Sequence, residues 1–168
     1  MNLRQRAVVT DPGRRRRRNE DAYVLRPPLF AVADGMGGAQ AGEIAARIAA
    51  TVLRDSPASE PLVDLIQEAN RQVYEAAASD EARAGMGTTM TAALVGDGAV
   101  RIAHVGDSRA YRVHDQRLEQ LTDDHSLVAE LVRSGKLSPE EADVHPQRSV
   151  ITRVLGTDPD VDVDTFTV

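Results

Sequence analysis

An apolar run, Leu29-Phe30-Ala31-Val32-Ala33, passes without a break into Asp34-Gly35-Met36-Gly37-Gly38. Five consecutive apolar residues suit a short buried strand, and the glycine-rich turn leads into a segment of helical period. Any fold of this chain must therefore end a strand at a carboxylate and turn tightly into a helix. A hard divalent cation takes oxygen ligands of this kind, and glycine leaves its carbonyl open to approach. The plainer reading is an Asp turn at a helix entry.

Two further acidic motifs lie in order along the chain, Asn19-Glu20-Asp21 before this turn and Gly106-Asp107-Ser108-Arg109 after it. Either alone reads equally well as a solvated turn, or as an Asp-Arg pair in the case of Asp107. The ordered set of three points to metal-dependent phosphate chemistry. Five arginines, Arg14 to Arg18, precede the first motif. Most of them suit a solvated loop. One beside an acidic metal site would hold phosphate oxygens in a bidentate fork.

The remaining pattern predicts mixed structure. Strands are expected at Ala7–Thr10, Ala22–Leu25 and Leu29–Ala33. Helices follow over about 41–53, with Ile44, Ile48 and Val52 and, beside them, Ala45 and Ala49 on the apolar stripe, and about 61–78, with Leu62, Leu65, Ile66, Ala69 and Val73. A flexible connection through 84–87 leads to two hairpins, one turning at Asp97-Gly98 and one at His114-Asp115-Gln116. Their strands are apolar on both faces, as in a sheet covered on both sides. A helix over 125–135 should bury Leu127, Val128 and Leu131. Ser138-Pro139-Glu140-Glu141 is a capping-box start, and 161–168 alternates like a strand.

With 168 residues, 42% of them hydrophobic, the chain can build one domain with a core, read here as residues 1–168. A net charge of -6 and only 3% aromatics argue against nucleic-acid or anionic-membrane binding. The absence of cysteine excludes disulfides, thiolate chemistry and Cys-based zinc sites. No apolar run reaches membrane-spanning length, so the cytoplasm is the expected compartment. His104 reads as a satisfied core residue. His114, His125 and His145 lack zinc-ligand spacing. Ser108 has no identifiable base.

The motifs together resemble the metal-dependent protein serine/threonine phosphatases (the PPM or type 2C family) in their bacterial form. The resemblance rests on Gly13-x-x-Arg16-x-x-Asn19-Glu20-Asp21, Val32-Ala33-Asp34-Gly35-Met36-Gly37-Gly38 with Gly42-Glu43, and Gly85-Met86-Gly87-Thr88-Thr89. It continues through His104-Val105-Gly106-Asp107-Ser108-Arg109, Leu121-Thr122-x-Asp124-His125-Ser126, and His145-Pro146 onward to Thr152-Arg153-Val154-Leu155-Gly156. It implies an α+β fold of two packed antiparallel β-sheets flanked by α-helices. It implies a two-metal Mn²⁺ or Mg²⁺ site, with a possible third metal. Asp34 would bridge the metals, Gly35 would lend its carbonyl, and Glu20 and Asp21 would bind directly or through water. Arg16 would hold the substrate phosphate, and Asp107 would bind the third metal. Residues 122–156 match the flap beside the site. The implied reaction is attack of a metal-activated water on phosphoserine or phosphothreonine, and the implied partner is a phosphorylated protein such as a kinase or its target.

The family pattern normally goes on to a later Asp-Gly and a late Asp-Asn that ligate the first metal. Neither follows Leu155. The resemblance therefore implies a domain incomplete at its C-terminal side, with impaired turnover and uncovered sheet edges that favour self-association. The alternative function is a phosphoprotein-binding module that does not hydrolyse. Met36 stands where many eukaryotic members of the family have histidine, so no general acid is assigned.

Overall fold

Leu29, Ala31 and Ala33 alternate with Phe30, Val32 and Asp34, so one face of their strand is buried and the other open. In the computed structural model, which describes residues 5–14, 18–38, 41–57, 59–96 and 98–168, this alternation organises the whole domain. Strands β1 (Asp21–Arg26) and β2 (Leu29–Met36) form an antiparallel hairpin. Helices α1 (Ala41–Asp55) and α2 (Leu62–Ala78) follow. Then come β3 (Gly87–Thr88), β4 (Met90–Gly96) and β5 (Ala99–Val105). An exposed ribbon of β6 (Tyr111–His114) and β7 (Arg117–Gln120) precedes two short helices, α3 (Leu127–Arg133) and α4 (Pro139–Val144). The last strand is β8 (Asp164–Thr167).

The main sheet runs in the order β1-β2-β4-β5-β8, with β3 also on β2, and every pairing is antiparallel. α1 and α2 cover one face. Their core joins Ala45, Ala49, Leu53, Leu65, Ile66 and Val73 to Leu29, Ala92 and Val105 of the sheet. The expected α+β class, with antiparallel sheets and helices, is what the chain adopts. Of the two sheets the resemblance implies, the described residues form this six-stranded sheet and the separate β6–β7 ribbon.

Several expectations are corrected. Residues 7–10 are exposed and form no strand. In α1 the expected Ala45, Ala49 and Val52 are buried, joined by Ala46, Ala50 and Leu53, but Ile44 and Ile48 are only partly buried. Small residues face the sheet because α1 approaches β2 backbone to backbone. A β-carbon on Gly42 would lie 2.8 Å from the Gly35 carbonyl carbon, and one on Gly35 would fall on the Gly42 carbonyl oxygen. By contrast, the α2 stripe is buried as expected.

The segment 84–87 is an ordered turn with Met86 wholly buried, not a loose connection. All eight residues of β6 and β7 are exposed, so that hairpin is not covered on both sides. Its turn residues Asp115 and Gln116 both adopt positive φ (49° and 60°), the backbone of a type I′ turn. β4 and β5 do bury their second face near Asp107, at Thr91, Ile102 and His104. No residue of α3 is fully buried. The Ser138 capping box is present, and the final strand begins at Asp164 rather than 161. Asp97 lies outside the described residues.

Candidate active site

Asp21 of β1 and Asp34 of β2 are direct register partners. Opposed residues on antiparallel strands point to the same face, so both carboxylates rise from the side of the sheet away from the helices. With Thr10, Tyr23, Val32 and Ser108 they line one cleft of about 210 Å³. A carboxylate pair brought together by strand register is a hard-oxygen donor set, and it fits a divalent cation by chemistry.

Asn19 sets the approach to Asp21. Its Oδ1 accepts the Asp21 N–H at 2.9 Å, and its Nδ2 donates to Thr10 Oγ1 at 2.5 Å. Thr10 Oγ1 in turn donates to Asp21 Oδ2 at 3.3 Å. The Gly35 N–H donates to the Glu20 carbonyl at 3.1 Å, which brings Glu20 against the strand end.

Asp34 is stitched from the other side by residues far along the chain. Its N–H donates to Thr89 Oγ1 at 3.0 Å. Its carbonyl accepts from the Thr89 N–H and from Thr88 Oγ1, both at 3.0 Å. Thr89 Oγ1 also lies 2.7 Å from Ser108 Oγ. Ser108 is thus a partner of Thr89, in keeping with its lack of a base.

Asp107 faces a different space. It lines a wider cleft of about 690 Å³ together with Arg109, Asp124, Arg133 and Arg148. Burial is the main cause that pushes its carboxyl above the ordinary range. Arg109 pairs with Asp124 (2.6–3.1 Å) rather than with Asp107. The structure therefore brings Asp21, Asp34, Gly35 and the Glu20 backbone together. Asp107 opens next door, one residue from the Ser108 that lines the first cleft. Arg16 lies outside the described residues. Among the described residues, no group of three or more His, Asp or Glu side chains converges as a cation cage.

His104 is buried as expected. Its Nδ1 lies 2.9 Å from Thr91 Oγ1 and its Nε2 lies 3.1 Å from the Asp123 carbonyl. Burial, followed by the neighbouring His125, holds it below the usual imidazole range.

Sequence reasoning gave no role to Thr88, Thr89, His125, Arg153 or Asp164, although four of these fall inside the quoted motifs. His125 is buried between Gly106 and Asp164, with Nε2 3.0 Å from Asp164 Oδ2. Burial alone would raise the Asp164 carboxyl. Hydrogen bonds from His125 and Arg153 outweigh it and hold the group below its ordinary value.

Residues 14–152 match the family model for protein phosphatase 2C. The chain belongs to the protein phosphatase 2C family. It is 43% identical to the serine/threonine phosphatase stp of Listeria welshimeri, across 95% of this chain and 69% of that protein. It superposes on the crystal structure of serine/threonine phosphatase Stp1 from Staphylococcus aureus with a TM-score of 0.87 and 40% identity, covering 95% of this chain and 68% of that one. The catalytic domain of the serine/threonine phosphatase PstP in complex with two manganese ions matches with a TM-score of 0.82 at 32% identity, covering 95% and 70%.

Protein phosphatase 2C membership carries metal-dependent removal of phosphate from Ser/Thr phosphoproteins as the activity of the family. No helix of the described residues is long and apolar enough to cross a membrane.

Proposed function

We propose that this chain acts on proteins phosphorylated on serine or threonine through a two-cation site built on Asp21 and Asp34. The observation that carries the reading is the register pairing of these two carboxylates at one strand end. In this reading Asp21, Asp34, the Gly35 carbonyl and Glu20 would hold the two cations, and Asp107 would hold a further one. A pair of Mn²⁺ or Mg²⁺ ions, when bound, supplies Lewis acidity toward water and the phosphoryl oxygens.

The chain's own residues do the positioning. Thr88 and Thr89 hold the Asp34 backbone from both sides, which fixes the direction of its carboxylate. Asn19 and Thr10 do the same for Asp21. Arg16 forks the substrate phosphate. The flap, residues 122–156, forms one wall of the cleft next to Asp107 and sorts the peptide around the phosphorylated residue. A kinase or the kinase's own target is the class of partner, and the domain spans residues 1–168 with the flap as its subregion.

A second reading is a module that binds phosphoprotein without turnover. It is favoured by the lack of a three-carboxylate cage among the described residues. The test is release of phosphate from a phosphothreonine peptide by this chain in Mn²⁺, with EDTA and Asp34→Asn as controls. Metal-dependent release that is lost in Asp34→Asn supports hydrolysis at this site. No release, together with saturable peptide binding that Arg16→Ala abolishes, supports the binding module instead.

A further inference from the structure

The loop that carries Asp107 is gripped at Gly106. Gly106 has φ +113°, and a β-carbon there would lie 2.6 Å from Thr89 Cβ, so only glycine suits the position. Both polar groups of Gly106 go to one residue. Its N–H donates to His125 Nδ1 at 2.9 Å, and its carbonyl accepts the His125 N–H at 2.8 Å. An Nδ1 that accepts leaves the proton of the neutral ring on Nε2. That nitrogen lies 3.0 Å from Asp164 Oδ2, so Nε2–H donates to the carboxylate. Arg153 Nη1 donates to the other oxygen, Asp164 Oδ1, at 2.7 Å.

These partners come from three separate places. His125 lies near the start of the flap, Arg153 near its end, and Asp164 opens β8. The two ends of the flap are zipped beside His125: Thr152 N–H donates to the His125 carbonyl at 2.8 Å, and Leu127 N–H donates to the Val150 carbonyl at 3.0 Å. Any shift of the flap's base reaches the ring, and through the ring it reaches the residue before Asp107.

We infer that His125, oriented by Asp164 and Arg153, is a positioning residue that sets the Asp107 carboxylate and couples it to the base of the flap. The inference rests on the reading of Asp107 as a cation ligand. Outer partners of this kind typically alter cation affinity about 10-fold or more when they are removed.

The experiment compares the unaltered chain with Asp164→Ala, Arg153→Met and Arg153→Lys. In EDTA, amide exchange of Gly106 and Asp107 should be about 10-fold faster in Asp164→Ala and Arg153→Met, while Ala92 in β4 is unchanged. In calorimetric Mn²⁺ titrations, the binding event lost in Asp107→Asn should weaken about 10-fold in the same two variants. Arg153→Lys, which keeps a cation on Asp164, should restore both. Unchanged exchange at Gly106 overturns the relay. If the substitutions prevent folding, ring ¹⁵N shifts of the unaltered chain decide: an Nε2–H tautomer supports the relay and an Nδ1–H tautomer overturns it. Mn²⁺ binding that Asp107→Asn leaves intact overturns the cation role of Asp107, and that result is separate from the exchange measurement.

Discussion

His104 shows how a single buried side chain writes itself into the pH dependence of the fold. It is 1% exposed and is held below its ordinary value of 6.5. In the window between that lowered value and 6.5, the unfolded chain binds a proton that the native chain does not. Stability therefore rises with pH through the window and declines as the pH falls from about 6.5. The urea midpoint should drop between about pH 7 and about pH 5, and should drop less in His104→Gln. Parallel slopes for the two chains would count against this account. The burial of His104 was legible from its place inside an apolar strand. Its pairing with Thr91 and with the Asp123 carbonyl was not, because those partners are set by the crossing of distant segments.

At the scale of elements, α2 was readable and α1 only in outline. Leu62, Leu65, Ile66, Ala69 and Val73 are large enough for their spacing to announce the buried face. In α1 the glycine contact with β2 selects alanines for the closest approach, so the bulkier Ile44 and Ile48 sit at the margin and mislead. One polar residue on the buried face of α2 escaped notice altogether. Asn70, 1% exposed, donates from Nδ2 to the carbonyls of Asp158 and Pro159, both at 3.0 Å, and accepts the Gly156 N–H at 2.8 Å. It fastens the segment from Gly156 to Pro159 onto the helix. Asn70→Ala leaves those buried backbone groups without partners and should lower stability by about 3 kcal/mol in urea unfolding. A loss under about 1 kcal/mol would show that water replaces the side chain.

Across the whole molecule, helices cover one face of the sheet, while Tyr23, Leu25 and Val32 on the other are 41–46% exposed. They border a cavity of about 170 Å³ shared with Phe30 and Ile102. A contiguous apolar patch of this kind should bind a hydrophobic dye in the native state. Leu25→Thr with Val32→Thr should reduce that fluorescence and leave the urea midpoint nearly unchanged. Undiminished fluorescence would place the dye elsewhere. The candidate site was legible to the extent that its parts are local. Asp34-Gly35 follows an apolar run, whose strand continues to Met36 rather than stopping at Ala33, and Asn19 turns the chain into Asp21; both features are local enough for spacing to express. The stitching by Thr88 and Thr89, and the grip of His125 on Gly106, depend on which strands become neighbours.

The Asp34–Thr89 stitch joins residues 55 positions apart. A ribosome that has just delivered α1 and α2 has already released both facing carboxylates, yet has not made the residues that hold Asp34 still. Asn19 and Thr10, which hold Asp21, are already made by then, but Asp34 waits for Thr88 and Thr89 for the whole time it takes to synthesise two helices. If Asp34 is a cation ligand as proposed, cation uptake should wait until β4 slots in beside β2, and so trail translation rather than accompany the first hairpin.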